Sequence, residues 1–316
     1  MLSKFKTQEI ANLLWAFATL NHRSSKIMEH VTPYINYICK DEKSNKINER
    51  SIARSFKRQE IANIAWSCSV LEEYPKNLMP LLYMGLFGGI GTDPKFMKDI
   101  YRDEGIQRQA VMTMFYVQMA LDMEAPDLQL SLPSNFPMDW KESDNSNAHT
   151  EALNDTTNTS LQLTTSRLQS KVAHALDRLG FEHVEEHVIS TDELESIHGV
   201  VLSDENQEFL SIDIADVDNL IGLEVDGPGH FITVLDETSE TAPVSGGVLK
   251  KSGGKKAWKF TANSKQKMNG PTTLKDRLLQ HLGWSVVHVP YWEWRNLNGD
   301  EDAEDGYIQT ILQDIK

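Results

Sequence analysis

Residues 5–15 read FKTQEIANLLW, and residues 56–66 read FKRQEIANIAW, the same phrase returning after 51 residues. In the first copy Ile10, Leu13, Leu14 and Phe17 fall at i, i+3, i+4 and i+7, which is one face of a helix. Ile61, Ile64 and Ala65 repeat that face in the second copy. Each copy runs on into another apolar segment, Ile27 to Ile38 and Leu78 to Phe87. A repeated helix pair cannot bury its apolar face alone and must stack on its neighbours. Residues 1–140 are therefore expected to form an N-terminal α-solenoid of helical repeats. The polar stretch from Lys40 to Ser51 reads as a loop insertion that lengthens the period. A third helix-rich stretch, Ile106 to Met123, lacks the Gln-Glu-Ile-Ala-Asn signature and reads as a divergent repeat or a cap, ended by Pro126, Pro133 and Pro137. Trp15 and Trp66 fall on the apolar faces and are expected to be packing residues. Asn12 and Asn63 recur at one helical position, either as base readers or as buried amides tying adjacent helices.

Beyond the repeats the composition changes. Residues 141–165, KESDNSNAHTEALNDTTNTSLQLTT, bury little apolar surface and read as a flexible polar linker. A second domain, 166–316, opens with a helix from Ser166, a fair N-cap, to Leu179, with Gly180 as the stop. Three β-like runs follow, His183–Ile189, Phe209–Ala215 and Leu220–Val225. A basic insertion at about 236–268 separates them from a helix, Thr272 to Leu282. Then come a strand, Trp284–Val289, an aromatic cluster, Tyr291-Trp292-Glu293-Trp294, and a last helix, Tyr307 to Ile315. The order α-β-β-β-α-β-α predicts a small α/β domain around a central sheet. Strand alternation would give Trp292 and Trp294 one face and Tyr291 the other.

The 316 residues suit two domains, and 40% hydrophobic with 24% charged residues is ordinary for a globular chain. No apolar run is long enough to span a membrane. Cys39 and Cys68 are too few for a disulfide framework and read as buried thiols. The first 20 residues contain Glu9 and no arginine, so no targeting peptide is visible, and the chain reads as beginning inside a longer protein. Charge is divided unevenly. Residues 1–140 hold 16 bases and 16 acids, so the net −15 belongs entirely to the second part. Residues 179–249 have 17 acids and no Lys or Arg, whereas Lys250 to Arg277 has nine bases and one acid. Phosphate neutralisation dominates nucleic-acid affinity. An RNA partner must therefore use the basic segment, the neutral repeats, or metal ions held by the acids.

Residues 220–231, LIGLEVDGPGHF, and 269–294, NGPTTLKDRLLQHLGWSVVHVPYWEW, resemble the RAP domain, an RNA-binding domain abundant in apicomplexans. The blocks that carry the resemblance are Glu224-Val-Asp226-Gly-Pro-x-His230-Phe, Thr273-Leu-Lys275-x-Arg277-Leu-Leu, Gly283-Trp, and Val289-Pro-Tyr-Trp-x-Trp294. It covers roughly residues 167–316, and its departure is the long basic stretch between His230 and Asn269. The helix pairs resemble octotricopeptide-type repeats, although their offset is long for that class. The resemblance implies binding of a single-stranded transcript in RNA processing, stability or translation, in the mitochondrion or the chloroplast. It also implies a small PD-(D/E)XK-nuclease-like α/β fold.

The residues themselves support three functional readings. Asp213 lies in an alternating strand, and Glu224 and Asp226, two apart, share a face. If the strands are neighbours, three carboxylates converge as hard ligands for Mg²⁺ or Mn²⁺, which could activate a water on a phosphate. His230 would be a general acid/base or a stacking partner. Lys275 would replace the lysine of the usual Glu-x-Lys, where this chain has Asp226. The first helix offers Gln169 where a carboxylate is usual. That set gives a metal-dependent RNA endonuclease. A non-catalytic RNA-binding factor would instead use Lys250, Lys251, Lys255, Lys256, Trp258, Lys259, Lys265, Lys267 and Arg277, combining cations with a stacking surface. The third reading is a protein-interaction scaffold, with partners held by the repeats.

Overall fold

The computed structural model describes residues 5–24, 26–40, 52, 55–87, 108–132, 166–189, 210–235 and 264–313. The expected linker and most of the expected basic insertion lie outside them.

The repeated phrase forms helices in both copies, α1 (Thr7–Thr19) and α3 (Arg58–Leu71). Each begins in the same way. The third residue of each helix, Glu9 or Glu60, turns back to accept the backbone N–H of Lys6 or Lys57, at 2.8 and 3.0 Å. That satisfies one of the donors a helix start leaves open and places negative charge at the positive end of the helix dipole. Ile10, Leu14, Ile61 and Ile64 are fully buried, as the periodicity requires. The second segments form α2 (Ile27–Ile38) and α4 (Met79–Phe87), which close the same core. α5 (Arg108–Glu124) packs on the side of α3 away from α1, so three helices lie side by side. Tyr83 of α4 donates to Gln118 of α5 at 2.9 Å, which ties the layer to its backing helices.

The α/β part follows with α6 (Arg167–Arg178), capped as expected: Ser166 Oγ accepts from Gln169 N at 3.1 Å. A four-stranded sheet follows in the order β1 (Val184–Val188), β2 (Ser211–Asp216), β3 (Ile221–Asp226), β6 (Ser285–Pro290). β1, β2 and β3 are antiparallel neighbours, and β3 pairs with β6 in parallel. The parallel pair needs a crossover, and α7 (Gly270–His281) supplies it. Leu223, Val225 and Val289 face α6 and the last helix, α9 (Glu301–Gln313), through Val172, Leu176 and Ile308. The other face carries Gly222, Glu224, Asp226 and His288 beneath α7. α7 in turn packs on α1, α3 and α5.

Several expectations change. The structure adds a two-stranded arm, β4 (Phe231–Leu235) with β5 (Ser264–Met268), that the sequence pattern does not announce. Its second strand, SKQKM, has neither the β-branched residues nor the apolar alternation that mark a strand. The aromatic cluster is a short helix, α8 (Tyr291–Asn296), not an extension of the strand. Tyr291 and Trp292 therefore both meet Phe231, with Trp292 edge-on at 4.4 Å, and Trp294 is buried against Tyr307. β2 does not alternate throughout. Ile214 faces α6, but Ile212 lies under Gly222 on the opposite face, so the pleat is interrupted at Asp213. Glu186, across from Asp213, has φ +53°, which marks the same irregularity in β1. Trp15 is not a packing residue, since it is 47% exposed.

Candidate functional site

Glu224, Asp226 and His288 lie side by side on β3 and β6 because Glu224 and His288 are register partners. Burial beneath α7 takes Glu224 and Asp226 almost wholly out of water. Each must then find a partner from within the protein. Lys275 of α7 reaches Glu224 at 2.6 Å. Burial pushes the Glu224 carboxyl up to about 7, with Lys275 opposing the rise and Asp213 adding to it. His288 bridges two acids, with Nδ1 2.5 Å from Asp226 Oδ2 and Nε2 3.0 Å from Asp276 Oδ2. Burial alone would discharge this imidazole. The two carboxylates outweigh that, and its pKa rises to about 10, so it is a cation at neutral pH. His230 stands at the surface end of this chain of side chains, with Nδ1 3.1 Å from Asp226 Oδ1 and 3.2 Å from Thr272 Oγ1.

Asp213 is engaged differently. Its Oδ2 accepts the backbone N–H of Val225 at 2.8 Å, so the carboxylate bonds to the interrupted sheet itself. Gln169 takes the place expected of a helix carboxylate. Its amide donates to Glu186 at 2.8 Å and to the carbonyl of Asp213 at 2.9 Å. The first strand, not the first helix, supplies the acid here. Burial raises the pKa of Glu186, and the charge of Asp213 adds to the rise.

Asp213, Glu224 and Asp226 belong to one region, where they bond respectively to a backbone amide, to Lys275 and to His288, with His230 3.1 Å from the other Asp226 oxygen. Among the described residues no group of three or more His, Cys, Asp or Glu is arranged to hold a metal ion. Lys275 and His288 engage one oxygen of each buried carboxylate, while Glu224 Oε1, Asp226 Oδ1 and Asp276 Oδ1 are buried without a hydrogen-bond partner. Asp276 and His288 are the residues that sequence reasoning missed. In the sequence Asp276 stands out only as the one acid in a basic run, and His288 sits in an apolar strand with no spacing signal.

The cationic candidates divide as well. Lys250, Lys251, Lys255, Lys256, Trp258 and Lys259 lie outside the described residues. Lys265 and Lys267 are on β5, on the face opposite Gln266, which bonds to Thr233. Lys267 donates to the carbonyl of Asn21, at the end of α1, at 2.5 Å. Arg277 has a different place from the one expected. Its guanidinium donates to the carbonyls of Ser69 and Val70 at 2.6 and 3.2 Å, and to Glu124 at 2.9 Å. Those carbonyls are among the acceptors a helix end leaves open, so Arg277 caps α3 and locks α7 onto the helical layer.

A family model for the RAP domain matches residues 223–311, from β3 to the last turns of α9. This chain carries a RAP domain. Glu224, Asp226, His230, Lys275, Asp276, Arg277 and His288 all lie within the match, whereas Gln169, Glu186 and Asp213 precede it. The matched part is shorter than the 167–316 that the motifs suggest. Over 327 residues the chain is 23% identical to "RAP domain-containing protein, chloroplastic" of Oryza sativa subsp. japonica. The alignment takes in 98% of this chain and 41% of that protein, so the chain spans about two fifths of the length of the curated relative it matches. Among the described residues no helix is long and apolar enough to cross a membrane.

Proposed function

We propose that the chain is a non-catalytic RNA-binding factor that holds a single-stranded organelle transcript, with the RAP domain and its basic arm as the binding surface. The observation that carries this reading is the β4–β5 arm. Lys265 and Lys267 stand on one face of it, and Lys267 meets the end of α1. The run of bases from Lys250 onward leads directly into that strand. A chain with net charge −15 that binds a polyanion needs its cations grouped in this way. The name of the rice relative favours the chloroplast over the mitochondrion, and the helix pairs of α1–α4 serve as the repeat array that accompanies the domain. The α/β part serves as a binding scaffold. The endonuclease alternative would need a metal ion to compete with Lys275, His288 and the Val225 amide for these carboxylates.

The test is the affinity of the chain for a labelled single-stranded RNA across a salt series. Replacing Lys250, Lys251, Lys255, Lys256, Lys259, Lys265 and Lys267 by Ala is expected to weaken binding. It should also flatten the dependence of log affinity on log salt by about 0.7 for each phosphate that is no longer neutralised. Unchanged affinity and slope would remove the arm from the interface. Cleavage of the RNA on adding Mg²⁺ or Mn²⁺, abolished by Glu224→Gln, would restore the endonuclease.

A further inference from the structure

The exposure of Trp15 has no structural explanation in the repeat pattern, and it does not stand alone. α1 and α3 carry the same stripe at helical spacing: Gln8, Asn12 and Trp15, all exposed, on α1, then exposed Gln59 with half-buried Asn63 and Trp66 on α3. The stripe is 51 residues apart in sequence but adjacent in space, with the two indole centroids 6.5 Å apart and 31° from parallel. α5 continues it. Residues 108–116, RQAVMTMFY, align with RQEIANIAW at an offset of 50, which puts Thr113 and Tyr116 where Asn63 and Trp66 stand on α3. Tyr116 in turn lies close enough to Glu224 for that carboxylate to help raise its pKa, after burial, to about 12. An aromatic ring thus sits at one helical position on each of three neighbouring helices, leading towards the RAP sheet.

We infer that this stripe is a stacking track for the bases of single-stranded RNA, with Trp15 and Trp66 as its first two platforms and the amides of Asn12 and Asn63 beside the base edges. The inference rests on the RNA-binding reading and adds a second binding surface to it. Indole faces hold bases irrespective of sequence, and side-chain amides add hydrogen bonds to them. The two centroids are separated by nearly twice the ~3.4 Å spacing of stacked bases. Charge frames the track. Exposed Lys6 and Lys57 stand at the start of the two helices, and Lys267 of the basic arm bonds at the far end of α1. That places cations for a phosphate chain at both ends of an uncharged, aromatic middle. Trp66 is partly buried and also packs against the core, so Trp15 is the position that isolates stacking from folding.

The experiment compares the full chain with its Trp15→Ala and Trp15→Phe variants, using a labelled 20-nucleotide oligouridylate and a thermal melt of each protein. Trp15→Ala is expected to melt as the unaltered chain does and to bind about tenfold more weakly, the usual scale for removing one stacking partner. Its salt slope should stay the same, because the same phosphates remain neutralised, and Trp15→Phe should recover most of the affinity. If the unaltered chain binds the oligonucleotide and Trp15→Ala binds equally well, the track is refuted while the basic arm stands. If affinity is unchanged but Trp15→Ala alters self-association in light scattering, the stripe is a protein interface and the inference is likewise overturned. If the unaltered chain does not bind RNA at all, the functional reading fails and the track fails with it.

Discussion

His288 joins two acids across the interface between sheet and helix, and replacing it by Gln removes the charge while keeping a side chain of similar length. The magnitude follows from the pKa. In the unfolded chain the imidazole titrates near 6.5; between Asp226 and Asp276 it titrates near 10. The folded state therefore binds the proton more tightly. Its contribution is complete below pH 6.5 and is lost as pH rises through 10. At roughly 1.4 kcal/mol for each pKa unit the full contribution is on the order of 5 kcal/mol. Removing the cation also leaves two buried carboxylates facing each other, a change of similar size. With about 2–4 °C for each kcal/mol in a domain of this class, the melting temperatures should differ by roughly 10 °C near pH 6.5. The assay is thermal or urea unfolding of both proteins at intervals from pH 6.5 to 10. Lysines, tyrosines and cysteines titrate in both, so the difference between the two curves isolates His288. The gap is expected to narrow steadily as pH rises. Two curves that run parallel over the whole range would refute a protonated, doubly paired His288.

Arg277→Ala should destabilise the chain by about 3 kcal/mol, because it leaves Glu124 and the last carbonyls of α3 without their donor. Since this arginine joins the RAP domain to the helical layer, unfolding should separate into two transitions, and a single cooperative melt at the original temperature would contradict that role. Burial pushes the Cys39 thiol up to about 11 and the Cys68 thiol far above its ordinary range. Both should resist an alkylating reagent at pH 8 until the protein is unfolded in denaturant, and rapid labelling of the native chain would show that the thiols are reachable.

The elements with strong local signals are legible without coordinates. The repeated phrase fixes α1 and α3 through its apolar spacing, and Ser166, Gly180 and Gly283 mark the ends of helices in the α/β part. Gly180 and Gly283 adopt φ +67° and +91°, conformations that an L side chain resists. β2 and β3 are visible as apolar runs, and the acids of the site are visible as unusual residues within them. Their meaning is not. Whether Asp213, Glu224 and Asp226 hold a metal or pair with the protein's own cations depends on what α7 brings over the sheet. Lys275 and Asp276 are neighbours in sequence, but they arrive at Glu224 and His288, 51 and 12 residues away.

Periodicity and composition determined that this chain has a repeated helical part and an acidic α/β part with one basic segment, because those properties depend on residues within a few turns of each other. Tertiary structure alone decided that Arg277 caps a helix 207 residues before it, that His288 is charged, and that Trp15 is left in solvent. The reason is physical: hydrogen bonding, burial and the pKa of a group are set by neighbours in space, and the crossover through α7 chooses those neighbours from both ends of the chain.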